Sequence, residues 1–160
     1  MTAATASARG RSNRRRGHDA ERAVARWLRT NGWPHAERAV RNGFRTAHRS
    51  GADPLDLTGT PHLVWSVKDD KSERICAWMV ELAEKRRAAG ADVGVLVQRR
   101  RGAPDPGFWW AWIFISELVE LLRGSGHPEW PGGVVRMELQ DLVPMLHAAG
   151  YGTPAGQEST

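Results

Sequence analysis

A chain of 160 residues with 41% apolar content and 8 tryptophans is long enough for one domain with a real core and too short for two. The single cysteine, Cys76, excludes an intramolecular disulfide and a cysteine-based zinc site, and fits a reducing cytosol. The net charge of +5 is unevenly placed: Arg9, Arg11, Arg14, Arg15 and Arg16 all precede the first acid, Asp19, and the basic residues that follow balance the 18 acids.

No apolar run approaches the roughly 18–20 residues of a membrane-spanning helix. The N-terminus is rich in Ala, Ser and Arg and lacks the apolar segment of a secretory signal. The expected location is therefore cytoplasmic or nucleoid-associated, without a membrane partner or a small-molecule cofactor. Of the 23 basic residues, only Lys68, Lys71 and Lys85 are lysines. Arginine suits phosphate contact, and an arm that makes such contacts needs no fixed fold.

Residues 1–16 are expected to form a disordered basic arm, with Arg14, Arg15 and Arg16 at its end. From about His18 to Asn31 the pattern is helical, because Val24, Trp27 and Leu28 recur at helical spacing beside Ala20 and Ala23. Gly32 and Pro34 end the helix. Glu21 falls on the border of its apolar stripe, where an acid needs a partner. His35 to Val40 reads as a short strand. The polar stretch Arg45 to Ala52, with His48 and Arg49, is a loop open to solvent or to a phosphate backbone.

Asp53 to Lys68 reads as a β-hairpin. Asp56 belongs to its first strand, Gly59-Thr60-Pro61 to the turn, and Leu63 to Val67 to the returning strand. Side chains alternate along a strand, so Ser66 and Lys68 share a face. A second helix is expected from Ser72, as N-cap, to Ala89. Its apolar face comprises Ile75, Cys76, Met79, Val80, Leu82 and Ala83, with Glu81 and Glu84 to Arg86 opposite.

Ala91 to Val97 is nearly all apolar, as in a strand buried on both faces. Strand, helix and buried strand suggest a parallel crossover. Gln98, Arg99, Arg100 and Arg101 follow at the strand's carboxyl end, where open α/β sheets bind ligands. Phe108 to Ile115 is a further strand, its indoles read as core and sheet-edge packing. Ser116 caps a short helix to Arg123. Gly124 to Gly133 is a linker, Val134 to Leu139 a strand, and Asp141 caps a helix to about Ala149. Gly152 to Thr160 is expected to be disordered.

Gly17-His18-Asp19-Ala20-Glu21, Asp56-Leu57-Thr58-Gly59-Thr60-Pro61, Trp65-Ser66-Val67-Lys68 and Gly94 to Gln98 occur in the order helix, strand, strand, strand. In these residues the chain resembles the PD-(D/E)XK nuclease superfamily, and more closely its small Holliday-junction-resolvase-like members from archaea and phages. The resemblance spans roughly residues 15–115. It implies an α/β fold with a restriction-endonuclease-like core, in α-β-β-β-α-β order, around a mixed central sheet flanked by helices. The nuclease-like domain would run over 17–123, followed by a strand-helix extension over 124–151 and a tail over 152–160.

The resemblance also implies a magnesium-dependent DNA endonuclease, with manganese as a substitute ion, working as a homodimer on DNA that includes branched forms. Asp56 would ligate the metal, Glu21 would support it, Lys68 would serve the attacking water, and Asp53 is a further candidate acid. Arg14, Arg15, Arg16, Arg49, Lys71, Gln98, Arg99, Arg100 and Arg101 are the expected DNA contacts. The departure is Ser66, where the family pattern has an acid. Either Asp69, Asp70 or Glu21 supplies the missing charge, or DNA phosphate completes the metal shell with Ser66 as a weak ligand, or the chain binds nucleic acid without cutting it.

Overall fold

The computed structural model describes residues 3–39, 55–123 and 132–154, with side chains from Gly10 onward. Helix α1 (Ala3–Thr30) is followed by strands β1 (Glu37–Arg38), β2 (Leu57–Thr58) and β3 (Leu63–Lys68). Helix α2 (Ile75–Ala89) leads to β4 (Val93–Gln98), a 3-10 turn at Pro106–Phe108 and β5 (Trp110–Phe114). Helix α3 (Ile115–Arg123), strand β6 (Val134–Glu138) and helix α4 (Leu139–Ala148) complete it. The chain is thus mixed α/β, with a four-stranded sheet in the order β3-β4-β5-β6 and a separate antiparallel pair, β1-β2.

The crossover expected from the apolar runs is present. β3 and β4 pair in parallel from Leu63↔Val93 to Lys68↔Gln98, joined by α2. All six residues of β4 are buried. β5 and β6 extend the sheet antiparallel. One sheet face carries Trp65, Val95, Val97, Ala111 and Ile113, and packs against Ala20, Val24 and Leu28 of α1 and Leu139, Leu142 and Leu146 of α4. The other face carries Val64 and Leu96 under Trp78, Met79 and Leu82 of α2. Gly94 lets α2 settle on β4, since a Cβ there would stand 3.0 Å from the Leu82 side chain.

Several expectations change. The basic segment is no disordered arm: α1 is helical from Ala3, as its alanines and arginines, strong helix formers, favour. The hairpin is not a paired hairpin, because β2 pairs with β1 and not with β3. Helix α2 starts at Ile75 without a side-chain cap, and Ser72 instead donates its backbone N–H to Asp70 Oδ1 at 2.9 Å. Its buried side is Trp78, Met79, Leu82 and Lys85, whereas Cys76 and Val80 are exposed. β6 and α4 belong to the same sheet and core as the rest, not to an extension. Of the tail, Thr153 donates its N–H to Gly32 O at 2.8 Å. The linker at 124–131 and residues 155–160 lie outside the described residues.

Candidate active site

Asp56 stands where the two sheets meet. Its carbonyl accepts from Ala39 N at 2.9 Å, prolonging the β1-β2 pairing. Its side chain turns the other way: Oδ2 accepts from Val67 N at 2.8 Å. β3 is the edge strand of the larger sheet, and this carboxylate satisfies an amide that has no strand neighbour on that side. The carboxylate is thereby anchored between Ser66 and Lys68. Gly59 keeps the chain on this course. Its φ is +76°, and a Cβ would collide with the carbonyl of His35.

Glu21 reaches the same place from α1. It lines a cleft of about 210 Å³ with Arg14, His18, Arg38 and Asp56 among others. Arg14, His18 and Glu21 are spaced by four and three residues along α1, which puts them on one helix face. Arg15 and Arg16 are exposed elsewhere on the helix, and Arg16 bonds Asn13 at 2.9 Å. Glu21 Oε2 accepts from Arg38 Nε at 2.6 Å. Within the cleft each carboxylate therefore has its own cation, since Lys85 Nζ lies 3.6 Å from Asp56 Oδ1.

Lys85 is the residue that sequence reasoning missed. Its side chain is only 6% exposed and that of Asp56 10% exposed. A buried ammonium is tolerated because this carboxylate faces it. The signal was present, since Trp78, Leu82 and Lys85 follow helical spacing four and three residues apart. Its partner, Asp56, lies just before β2 and far from α2 in sequence, which no local pattern reveals.

Lys68 sits above α2. Its Nζ lies 3.1 Å from Glu81 Oε2 and 5.9 Å from the centre of the Trp78 ring. Glu81 and Lys85 are one turn apart on α2, so acid and base alternate from Asp56 through Lys85 and Glu81 to Lys68. Glu81, assigned to the outer helix face by pattern, is thus the acid beside Lys68. The other acids considered for that place are engaged elsewhere. Asp69, with its side chain 1% exposed, is clamped by Arg99 at 3.2 Å and Arg101 at 2.6 Å. Asp70 accepts from Ser72, which holds its carboxyl below the usual range. Ser66 is fully buried, and its Oγ has no hydrogen-bond partner among the described residues.

The expected nucleic-acid contacts divide. Arg14 enters the cleft. Arg100 pairs with Glu138 at 2.9 Å and lies 4.4 Å from the centre of the Trp110 ring. Arg99 and Arg101 hold Asp69, and Lys71 is exposed. Gln98 is 5% exposed and its Oε1 is unpartnered, so it underlies the surface rather than forming it. Arg49 and Asp53 lie outside the described residues.

Among the described residues no three His, Cys, Asp or Glu side chains are gathered as a metal cage. The donors are nonetheless hard oxygens, namely the Asp56 and Glu21 carboxylates in one cleft and the orphaned Ser66 hydroxyl beside the amide that holds Asp56. That chemistry fits a magnesium-like cation, which prefers carboxylates and retained waters. Compared with known proteins, the chain matches no family model, no curated protein and no solved structure.

Proposed function

We propose that the chain is a metal-dependent DNA endonuclease of the PD-(D/E)XK type, in which Glu81 on α2 takes the role of the acid absent at Ser66. The observation that carries this reading is the Asp56 carboxylate. It is bound to the β3 amide between Ser66 and Lys68, and it lines one cleft with Glu21. The run from α1 to β4 is helix, three strands, helix and strand, with β1 and β2 paired apart from the main sheet, and this mixed α/β succession is compatible with the reading.

Asp56 and Glu21 would hold the cation in the cleft that they line, and Glu81 stands apart on α2 beside Lys68. A divalent cation bound there supplies positive charge opposite a scissile phosphate. Asp56 is oriented by the Val67 amide through Oδ2, and a cation at Oδ1 would share it with, or displace, the Lys85 ammonium. Lys68 holds and orients the attacking water, with Glu81 fixing its ammonium. Arg14 and Arg38 supply the cationic walls that receive the DNA backbone.

The test is cleavage and gel shift on a four-way junction and a matched linear duplex, with magnesium, manganese or EDTA. Lys68→Ala is expected to lower metal-dependent cutting at least about 100-fold while binding is retained. Unchanged cutting by that variant sinks the assignment.

A second reading, binding without hydrolysis, is favoured by the cations already paired to both cleft carboxylates. In that case wild type binds without cutting, and Ser66→Glu gains metal-dependent cleavage.

A further inference from the structure

The register of the sheet puts Lys68, Gln98, Trp110 and Glu138 in one row across four strands. The next row is Ser66, Leu96, Trp112 and Arg136. All of these share the sheet face that α2 covers, and α2 packs chiefly on β3 and β4. Trp112, Phe114 and Val134 are partly buried against the α2 cluster, whereas Trp110 and Arg136 lie outside it.

What stands there is a ladder of indoles and guanidiniums. Arg100 lies 4.4 Å and Arg136 4.6 Å from the centre of the Trp110 ring, and Arg136 lies 5.3 Å from that of Trp112. Trp110 and Trp112 are half-buried and Arg136 is exposed. Three atoms of these rows are buried without a hydrogen-bond partner, Ser66 Oγ, Gln98 Oε1 and Trp112 Nε1.

We propose that this face is a docking platform for an unpaired DNA strand, continuous with the Lys68 site. Indoles offer flat π-faces to any base, and arginines between them take the phosphates, which is how sequence-tolerant single-strand binding is built. Bases of an intact duplex are stacked on each other and have no such face to offer. Neighbouring strands are about 4.8 Å apart, so Trp110 stands roughly 10 Å across the sheet from Lys68. A strand laid on the ladder leads to the site where the proposed cleavage occurs. The inference rests on that reading for its substrate, but not for its binding test.

The experiment is fluorescence anisotropy in EDTA with labelled oligo(dT) and a duplex of equal length, using the full chain carrying Lys68→Ala. Arg136→Gln and Trp112→Ala are each expected to weaken oligo(dT) binding about tenfold, with duplex binding changed less than twofold. Tryptophan emission should be quenched by oligo(dT). Arg136→Gln is an exposed change, which keeps the test valid if Trp112→Ala fails to fold. Equal losses on both DNAs, or none on either, overturn the platform. So does a concentration-dependent dimer that Arg136→Gln abolishes, because a second copy then covers the face. A wild-type chain that binds oligo(dT) in this way but never cuts defeats the nuclease reading and leaves the platform standing.

Discussion

Two neighbouring residues of α2, Lys85 and Arg86, each meet a nearly buried carboxylate, and the two pairs are built to opposite ends. Lys85 turns toward Asp56, whose other oxygen takes the Val67 amide and which opens on the cleft with Glu21. Arg86 turns toward Glu117 at 3.0 Å, while Glu117 accepts from Gly94 N at 3.2 Å. Burial pushes the Glu117 carboxyl up to about 7, against the pull of the Gly94 amide and Arg86. Glu117 can therefore shed its charge when its cation is lost. At Asp56 the cation is a lysine buried with its partner. The Arg86–Glu117 pair ties α2 to α3 and β4 beside a cavity of its own, and the Lys85–Asp56 pair ties α2 to the wall of the cleft that Glu21 lines.

The largest way to break this contrast is Lys85→Ala. It leaves Asp56 without its cation and should cost about 3–5 kcal/mol in thermal or denaturant unfolding. If Asp56 is a metal ligand, magnesium should return part of that loss, a readout independent of cleavage. Lack of any magnesium effect on the variant's melting would count against metal at Asp56.

Glu117→Gln acts through pH. The folded carboxyl keeps its proton to about 7, whereas the unfolded one loses it near 4.5. The folded state thus binds more protons in between, and this group's contribution is full below 4.5 and lost as pH rises through about 7. Wild-type stability should fall across that window by on the order of 3 kcal/mol from this group, and Glu117→Gln should flatten the fall. A pH profile identical to wild type would refute the raised carboxyl.

Gly94→Ala should cost about 1–3 kcal/mol, because the added methyl presses Leu82 and disturbs the amide that serves Glu117. The smallest effect is expected from Arg86→Met. At pH 6 it should cost no more than about 1 kcal/mol, since Glu117 is largely protonated there, and more at pH 8. A loss as large as that of Lys85→Ala would erase the distinction between the two pairs.

The parts of this molecule governed by local pattern were readable from its sequence. The stripe of Val24 and Leu28, the valines of β4 and the crossover through α2 all follow from periodicity. The meeting of Asp56 with Lys68's strand was legible in outline, but its means was not. A paired hairpin was expected, and a side chain makes the join instead. Lys85 and Glu81 escaped because a polar residue on a helix is read as outward unless its partner is known. The Arg-rich start escaped for the reverse reason: its composition favours phosphate and also favours helix, and in the structure the helix runs through it.

One further consequence concerns how the chain is made. Trp33, just after α1, stacks on His147 of α4 with ring centres 4.8 Å apart, and His147 Nε2 lies 3.1 Å from Asn31 O. Thr153 closes over Gly32. Helix α1 is therefore sealed by a segment synthesised well after it. Until about residue 153 has left the ribosome, the apolar stripe of α1 lacks part of its cover, and the Glu21 wall of the cleft lacks a fixed support. Nascent chains stopped short of α4 should be cut readily by protease within α1, and full-length chains should resist.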